Sequence, residues 1–400
     1  MGIFDFFRKK KGSEETVEIQ QDISTSFNSG VENVEDVSMN DNVNNIKDIN
    51  KSSSEQDGPI SLNILLKTAM PSKQGLYPHE IMMLDYAHTF KISNNTFQNF
   101  WYWQYSITEP QKVLDSLYDR GFIRSGELRS ALEKLSLAEI KEELKQLNQK
   151  VTGKKAELIE RLIEFGDNTA LNQKYSERYY VLTSKGEEEL KENQYVPYLH
   201  RCRYMTCWEM NKRIAKTNYS YRDILWRHFN EQSDLNFRNF NFGLYRNTRL
   251  DMYRFLMEEN KYKTAFSLLC EVLAYDLSLL SNGDGSLFDF EKSNTKLYLM
   301  VYESRLKRLF PYKKDNYIVP PAISNWFAEM KTLLGVDDEN YKEVILKELT
   351  EVHPPHRIFT NEECADIIIA ELSNNTVLLN EIFDRAEKRE EERLNAIKKH

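Results

Sequence analysis

Apolar residues recur along much of the chain at helical spacing, and they predict a protein built mainly from helices. The run that opens at Pro78 places Ile81, Leu84 and Ala87 on one face, the three- and four-residue spacing of an amphipathic helix. The aromatic stretch FWYWQY, residues 100–105, has the composition of a largely buried segment. We therefore expect a mainly α fold.

A further amphipathic helix is predicted within ITEPQKVLDSLYDRGFI, residues 107–123. Thr108 is of a type that caps helices, Leu114 and Leu117 lie on the apolar stripe, and Gly121 is placed to end the helix. The last two residues of the stretch, Phe and Ile, then begin a short strand.

This helix and strand resemble those of winged-helix regulators, in which a two-stranded wing follows the helix. The second wing strand of that pattern is matched by YYVLTSKGEEEL, Tyr179–Leu190, much later in the chain than in the family. The resemblance covers roughly residues 76–123 and 179–192. It implies a winged-helix-like domain whose wing has been opened by an insert.

The insert contains LSLAEIKEELKQLNQKVTGKKAELIERL, Leu135–Leu162. Ser136 and Glu139 have the spacing of a capping box for a first helix, and a second helix is predicted to begin at Thr152. The apolar residues expected to be buried between the two helices are Leu137, Ile140, Leu144, Leu147, Leu158, Ile159 and Leu162. The sequence therefore predicts a helical hairpin.

The hairpin resembles the SAP domain, whose pattern is Leu-x-Leu-x-x-Leu-Lys followed by Ser/Thr-Gly-x-Lys-x-x-Leu-x-x-Arg-Leu. The match holds almost throughout; Ile140 replaces one leucine, and Asn148 stands where glycine is usual. In the SAP family this region contacts the DNA backbone with limited reading of bases. The resemblance implies DNA binding by four residues, Thr152, Gly153, Lys154 and Lys155.

The first turn of a helix also suits phosphate on physical grounds, because its N–H groups are unpaired and the helix dipole is positive there. We expect Thr152 to cap this turn, Gly153 to allow close approach, and Lys154 and Lys155 to supply cations. Three further lysines are candidates to flank the site, Lys141, Lys145 and Lys150.

The charge of the hairpin leaves a second interpretation open. Residues 135–162 carry six basic and five acidic residues, and affinity from phosphate neutralisation scales with the number of contacts. A purely structural or protein-binding hairpin is the alternative. The predicted helix Glu109–Arg120 also has a mixed surface, so direct DNA contact and a platform or dimerisation role stay open for it.

The net charge of −8 belongs almost wholly to one segment. Residues 13–58 hold eleven acids and two lysines in a Ser- and Asn-rich context, a composition that favours disorder. The preceding MGIFDFFRKKKG pairs an apolar tip with four basic residues; a flexible terminus and a weak membrane contact are both open. The rest of the chain is close to neutral, so its charge does not exclude an anionic partner.

The second half of the chain has two notable stretches. Residues 200–254 hold eleven basic and five acidic residues interleaved with aromatic ones, a composition typical of nucleic-acid surfaces, although aromatics at this spacing also form cores. Residues 246–280 predict a helix pair with a turn at Asn260. This pair is similar to a tetratricopeptide hairpin, with Ala265 between the helices, but no second copy follows.

Several classes of site have no support. The four cysteines, Cys202, Cys207, Cys270 and Cys364, and the histidines, including His353 and His356, lack metal-ligand spacing, so we expect packing or solvated roles. No nucleotide loop, nucleophile or paired-carboxylate motif is present. We expect no catalytic residue, no metal and no cofactor. Apolar runs are far shorter than the roughly 20 residues of a membrane-spanning helix.

We therefore expect a cytoplasmic DNA-binding protein of bacterial or phage type, gripping duplex DNA by its backbone and largely tolerant of sequence. The predicted domains are a disordered acidic tail (1–58), a winged-helix-like domain (59–196) with a SAP insert at 130–166, and a helical C-terminal domain (197–400). The last domain is a candidate for a protein partner or a homodimer contact. Two alternatives stay open, a helical adaptor localised by the hairpin and a DNA-processing enzyme with a C-terminal site.

Overall fold

The computed structural model describes residues 58–278, 280, 300, 302–304, 306 and 321–398. The predicted acidic tail and the apolar tip before it lie outside the described residues, apart from Gly58. Helices account for most of the described chain, and its strands form one two-stranded sheet. The prediction of a mainly α protein is confirmed.

The pattern of contacts divides the chain into two compact units between Ile224 and Leu225. The predicted domain limits stay predictions. The elements up to this division are α1 (Leu62–Thr68), α2 (Pro78–Tyr86) followed by a 3-10 turn (Ala87–Thr89), α3 (Phe100–Tyr105), α4 (Pro110–Asp119), β1 (Ile123–Ser125), α5 (Leu128–Leu132), α6 (Leu137–Gln146), α7 (Lys155–Phe165), α8 (Asn168–Lys174), β2 (Tyr180–Leu182), α9 (Ser184–Glu192), α10 (Tyr195–Cys202), α11 (Cys207–Lys216) and α12 (Tyr221–Arg238), which crosses it.

Helix α2 is the central element of the first unit. Every residue from Pro78 to Leu84 is buried, and the helix packs against α4, α9, α10 and α11. At the end of α4, the guanidinium of Arg120 pairs with Glu80 and donates to the carbonyl of Gly75 at 3.1 Å. Arg120 therefore links the end of α4 to α2.

The aromatic segment of α3 is only half buried. Trp101 and Tyr105 lie in the core, whereas Tyr102 and Trp103 are exposed, Trp103 by 59%. A helix this short buries one face and leaves the other in solvent. The expectation that residues 100–105 are largely core is wrong for these two side chains.

The two predicted wing strands do pair. Strands β1 and β2 are antiparallel, with Ile123 opposite Leu182 and Ser125 opposite Tyr180. Gly121 has φ of +75° and ends α4 as predicted. Helices α5 to α8 lie between the two strands in the chain, so the insert enters and leaves through neighbouring positions of one sheet.

The second unit is entirely helical within the described residues. It continues with α13 (Phe242–Glu258), α14 (Tyr262–Asp276), α15 (Pro321–Leu334), α16 (Asp338–Thr350), α17 (Asn361–Leu372) and α18 (Thr376–Lys398). Helices α13 and α14 form the predicted pair, with Asn260 in the left-handed conformation at the turn and Ala265 fully buried. The described helices that follow pack in succession, α14 on α15 and α16, α16 on α17 and α17 on α18.

Candidate nucleic-acid interface

The candidate interface is carried by the hairpin of α6 and α7, which has a small core of its own. The residues that form this core are Leu128, Leu132, Ile140, Leu144, Leu158, Ile159, Leu162 and Leu171. The prediction for Leu137 is wrong, because this side chain is 42% exposed. Leu137 is the first residue of α6, and the buried stripe starts at Ile140. Leucines of α5 and α8 thus complete the core between the two helices of the hairpin.

The start of α6 follows the sequence signal closely. The N–H of Glu139 donates to Ser136 Oγ at 3.2 Å, and the N–H of Ser136 donates to the Glu139 carboxylate at 2.6 Å. Hydrogen bonds donated to the Glu139 carboxylate by the Ser136 side chain and backbone hold its pKa below the usual value. The predicted capping box is confirmed.

The end of α6 explains the asparagine that replaces the usual glycine. Asn148 has φ of +55°, a left-handed conformation that asparagine tolerates better than most residues. Its N–H donates to the carbonyl of Lys145 at 2.9 Å, and the N–H of Gln149 donates to that of Leu144 at 2.8 Å. This is the paired hydrogen-bond pattern of a Schellman ending, so the substitution keeps the turn.

Helix α7 begins later than predicted. Its first residue is Lys155, and Lys154 stands at the N-cap position. The expectation that Thr152 caps the helix is wrong. Gly153 lies between them with φ of +137°, a conformation open mainly to glycine, and this turns the chain away from the helical path before Lys154.

The first turn of α7 lacks a capping side chain. Lys154 offers no acceptor, and in the described part of the chain the N–H groups of Lys155, Ala156 and Glu157 have no partner. The Glu157 carboxylate accepts the N–H of Lys154 at 3.2 Å, which adds a negative charge to this turn. Three donors remain to meet phosphate oxygens, and nearby lysines are needed to offset Glu157.

The loop before α7 is held in place by Arg161. Its Nη1 donates to the carbonyl oxygens of Lys150 at 2.6 Å and of Thr152 at 3.4 Å. The sequence pattern includes this arginine, but its spacing alone did not reveal the role. Arg161 positions the loop.

The predicted lysines fall into two groups. Lys150 and Lys154 are exposed beside the α7 turn, and Lys155 is half-buried, its ammonium donating to the carbonyl of Glu133 at 2.8 Å. The other two lie on α6, where Lys141 is half-buried and Lys145 pairs with Glu142 at 3.4 Å. The structure thus brings Lys150, Lys154 and Lys155 to one turn together with Thr152 and Gly153.

Helix α4 presents an acidic face rather than a basic one. Lys112 pairs with Glu109 at 2.6 Å, and the Gln111 amide donates to Asp115 at 2.8 Å. Asp115 and Asp119 then line a shallow cleft of about 260 Å³. Carboxylates repel phosphate, so this surface favours the platform role over base reading.

Two arginines of the basic stretch 200–254, Arg246 and Arg249, do not contribute to a basic surface. Arg246 is buried and pairs with Asp276 at 2.5 Å, and Arg249 pairs with Glu271 at 3.1 Å. Asp276 and Glu271 lie outside residues 200–254, so the charge count of that stretch did not include them. Trp208, an interleaved aromatic in the first unit, is core.

A cavity of about 370 Å³ in the second unit gathers several carboxylates. Glu271 accepts from Tyr245 and pairs with Arg249, and Glu348 accepts from Ser267 at 2.6 Å. Two of its three acids are thus engaged in internal contacts. Among the described residues, no group of three or more His, Cys, Asp or Glu is arranged to hold a metal ion.

The cysteines and histidines singled out in the sequence occupy packing positions in most cases. Burial raises the pKa of Cys207 and of Cys364 to about 12, which keeps both thiols protonated. His356 lies 3.1 Å from the hydroxyl of Tyr302, and burial lowers its pKa to about 4. His353 is exposed.

Comparison with known families identifies the hairpin. The family model of the SAP domain matches residues 131–166, which span the end of α5 to the end of α7. The SAP domain is a DNA-binding motif. No curated protein matches the chain. In the described ranges, no helix combines the length and apolar character that crossing a bilayer requires.

Proposed function

We propose that this protein binds duplex DNA by its phosphate backbone, with the SAP hairpin as the contact surface. The observation that carries the proposal is the uncapped first turn of α7, flanked by Lys150, Lys154 and Lys155, within the matched region. Unpaired N–H groups and lysine ammonium groups at one turn are the groups that phosphate oxygens require.

The same turn supports binding that is tolerant of sequence. Backbone N–H groups and lysines contact phosphates, which carry no base information. Residues 148–157 contain no aromatic side chain, whereas single strands are usually held by stacking on aromatic rings. Duplex is therefore the preferred form of DNA.

The position of the hairpin supports a winged-helix arrangement. The insert emerges between β1 and β2, and wings lie beside the sugar-phosphate backbone in winged-helix proteins, so the hairpin extends that contact. Helix α4, with its exposed carboxylates, then serves as a platform. A bacterial or phage origin, a cytoplasmic location and a partner contact through residues 197–400 stay predictions.

A second candidate, a helical adaptor, is favoured by an apolar surface at the start of the described chain. Helix α1 has no buried residue, and Ile60, Ile64, Tyr102 and Trp103 are all exposed. Exposed apolar side chains of this kind mark protein contacts. The DNA-processing enzyme has weaker support, because two of the three carboxylates in its best cavity are already engaged.

The test is binding of fluorescent duplex, single-stranded DNA and RNA to the full chain across a salt series. We expect log affinity for duplex to fall with log salt by about 0.9 per phosphate neutralised. The double variant Lys154→Glu with Lys155→Glu should lower this slope by about 1.8 and keep its helical circular dichroism.

The matched control is Lys67→Glu with Lys73→Glu, which makes the same charge change at two exposed lysines outside the hairpin. The control should bind like the wild type, apart from a small uniform loss through net charge. Unchanged affinity in the folded hairpin variant would remove the hairpin from the account. If the wild type binds none of the three nucleic acids at low salt, the adaptor becomes the leading function.

A further inference from the structure

Two lysines converge where the hairpin joins the strand pair. Lys134 follows α5, and its ammonium lies 5.1 Å from the centroid of the Tyr179 ring, a cation–π contact. Tyr179 comes directly before β2, and its N–H donates to Ser130 Oγ in α5 at 3.2 Å. Lys134 is thus held against the edge of the sheet.

Lys155 contacts the residue next to Lys134. Its ammonium donates to the carbonyl oxygen of Glu133, the residue just before Lys134. The Glu133 carboxylate lies 3.8 Å from Arg129, whose guanidinium also pairs with Glu160. Within the described part of the chain, Lys134 itself has no ion pair.

The two positive charges affect each other. The pKa of Lys134 lies below its usual value chiefly because of burial; the Glu133 carboxylate opposes the shift and the Lys155 ammonium adds to it. Like charges near each other raise the free energy of the unliganded surface, and a bound phosphate would offset that cost.

We infer that Lys134 binds a DNA phosphate next to the one contacted by Lys155, at the junction of hairpin and sheet, with the Tyr179 ring as a positioning group. The inference rests on the proposed DNA binding and adds Lys134, which lies outside the α7 turn, to the contact. Each ammonium has N–H groups left to donate to phosphate oxygens. The DNA contact then reaches from the hairpin onto the start of β2.

The test compares Lys134→Met with Lys73→Met in the full chain, using fluorescent duplex across a salt series. Methionine keeps an apolar stem over the ring and removes the charge. We expect the slope of log affinity against log salt to fall by about 0.9 for Lys134→Met, the value for one phosphate. The slope should stay at the wild-type value for Lys73→Met, and Lys134→Arg should restore it.

The role of Tyr179 is separated by a double-mutant cycle. Tyr179→Phe keeps the ring and should keep the slope, whereas Tyr179→Leu should lower it. If the ring acts by positioning Lys134, adding Lys134→Met to Tyr179→Leu produces no further loss. Additive losses would mean that Tyr179 supports the fold without directing Lys134.

Two failures can be told apart. A wild-type protein that binds duplex with a salt slope equal to that of Lys134→Met would overturn this inference and leave the proposed function standing. Absence of duplex binding by the wild type at low salt would overturn the proposed function, and this inference with it.

Discussion

Replacing Gly153 with alanine tests the geometry of the proposed DNA-binding turn most directly. Gly153 has φ of +137°, and a Cβ built there would lie 2.8 Å from the Glu157 carboxylate oxygen. That oxygen also accepts the N–H of Lys154 at the N-cap. Alanine would therefore strain the backbone and also displace the carboxylate.

The two effects have separate magnitudes. Holding a residue other than glycine in such a conformation costs about 2 kcal/mol, and losing the exposed hydrogen bond of Glu157 costs about 1 kcal/mol. Their sum of about 3 kcal/mol should raise the population of the locally opened hairpin about a hundredfold. Glu157→Ala alone should cost only the second amount, about 1 kcal/mol.

Native-state hydrogen exchange of the amides of Leu158, Ile159 and Leu162 measures this opening, because all three lie in the buried turns of α7. We expect exchange about a hundredfold faster in Gly153→Ala and no further increase when Glu157→Ala is added. Exchange in Gly153→Ala within twofold of the wild type would refute the account of the turn. Equal added losses from Glu157→Ala in both backgrounds would show that alanine at position 153 leaves the Glu157 hydrogen bond intact and acts through backbone strain alone.

Two further predictions concern a buried histidine and the loop arginine. Burial, with a smaller effect of Arg120, lowers the pKa of His79 to about 4. The unfolded chain alone binds this proton between pH 6.5 and 4, so the unfolding free energy should fall by about 3 kcal/mol as pH drops through that window. His79→Phe, which keeps the stacking on Trp208, should lose this part of the pH dependence in urea unfolding and keep the part due to His356, whose pKa is also lowered to about 4 by burial. An unchanged dependence would place the titrating group elsewhere. Arg161→Leu should weaken duplex binding several-fold with an unchanged salt slope, because the guanidinium holds the carbonyls of Lys150 and Thr152; a lower slope would make it a direct phosphate contact.

Local signals in the sequence predicted the parts of the hairpin that depend on local contacts. The Ser136 and Glu139 pair is such a case, since both hydrogen bonds close within one turn. Ile140 and Leu144 are buried as their spacing indicates. The pairing of residues on either side of the insert was also predicted, from the resemblance of the two stretches to the strands of a winged-helix wing.

The positions that were missed depend on backbone conformation or on distant partners. Thr152 has the type of an N-cap, but the positive φ of Gly153 moves the cap to Lys154. By composition, Arg246 counts as a basic residue of the 200–254 stretch. In the structure it lies in the core and binds Asp276, thirty residues later in the chain. The contact between Lys134 and Tyr179 joins residues on opposite ends of the insert, which no periodicity can bring together.

The attachment of the hairpin through two strands has a mechanical consequence. A module joined by one linker can swivel, and it must give up that freedom whenever it docks. Here the chain leaves at Ser125 and returns at Tyr180, which are opposite each other in the sheet. The module is therefore attached along a line rather than at a point, and a force on DNA bound to it would act as a torque on the sheet. The same geometry makes the module separable, since a tight turn between these two residues would close an ordinary β-hairpin.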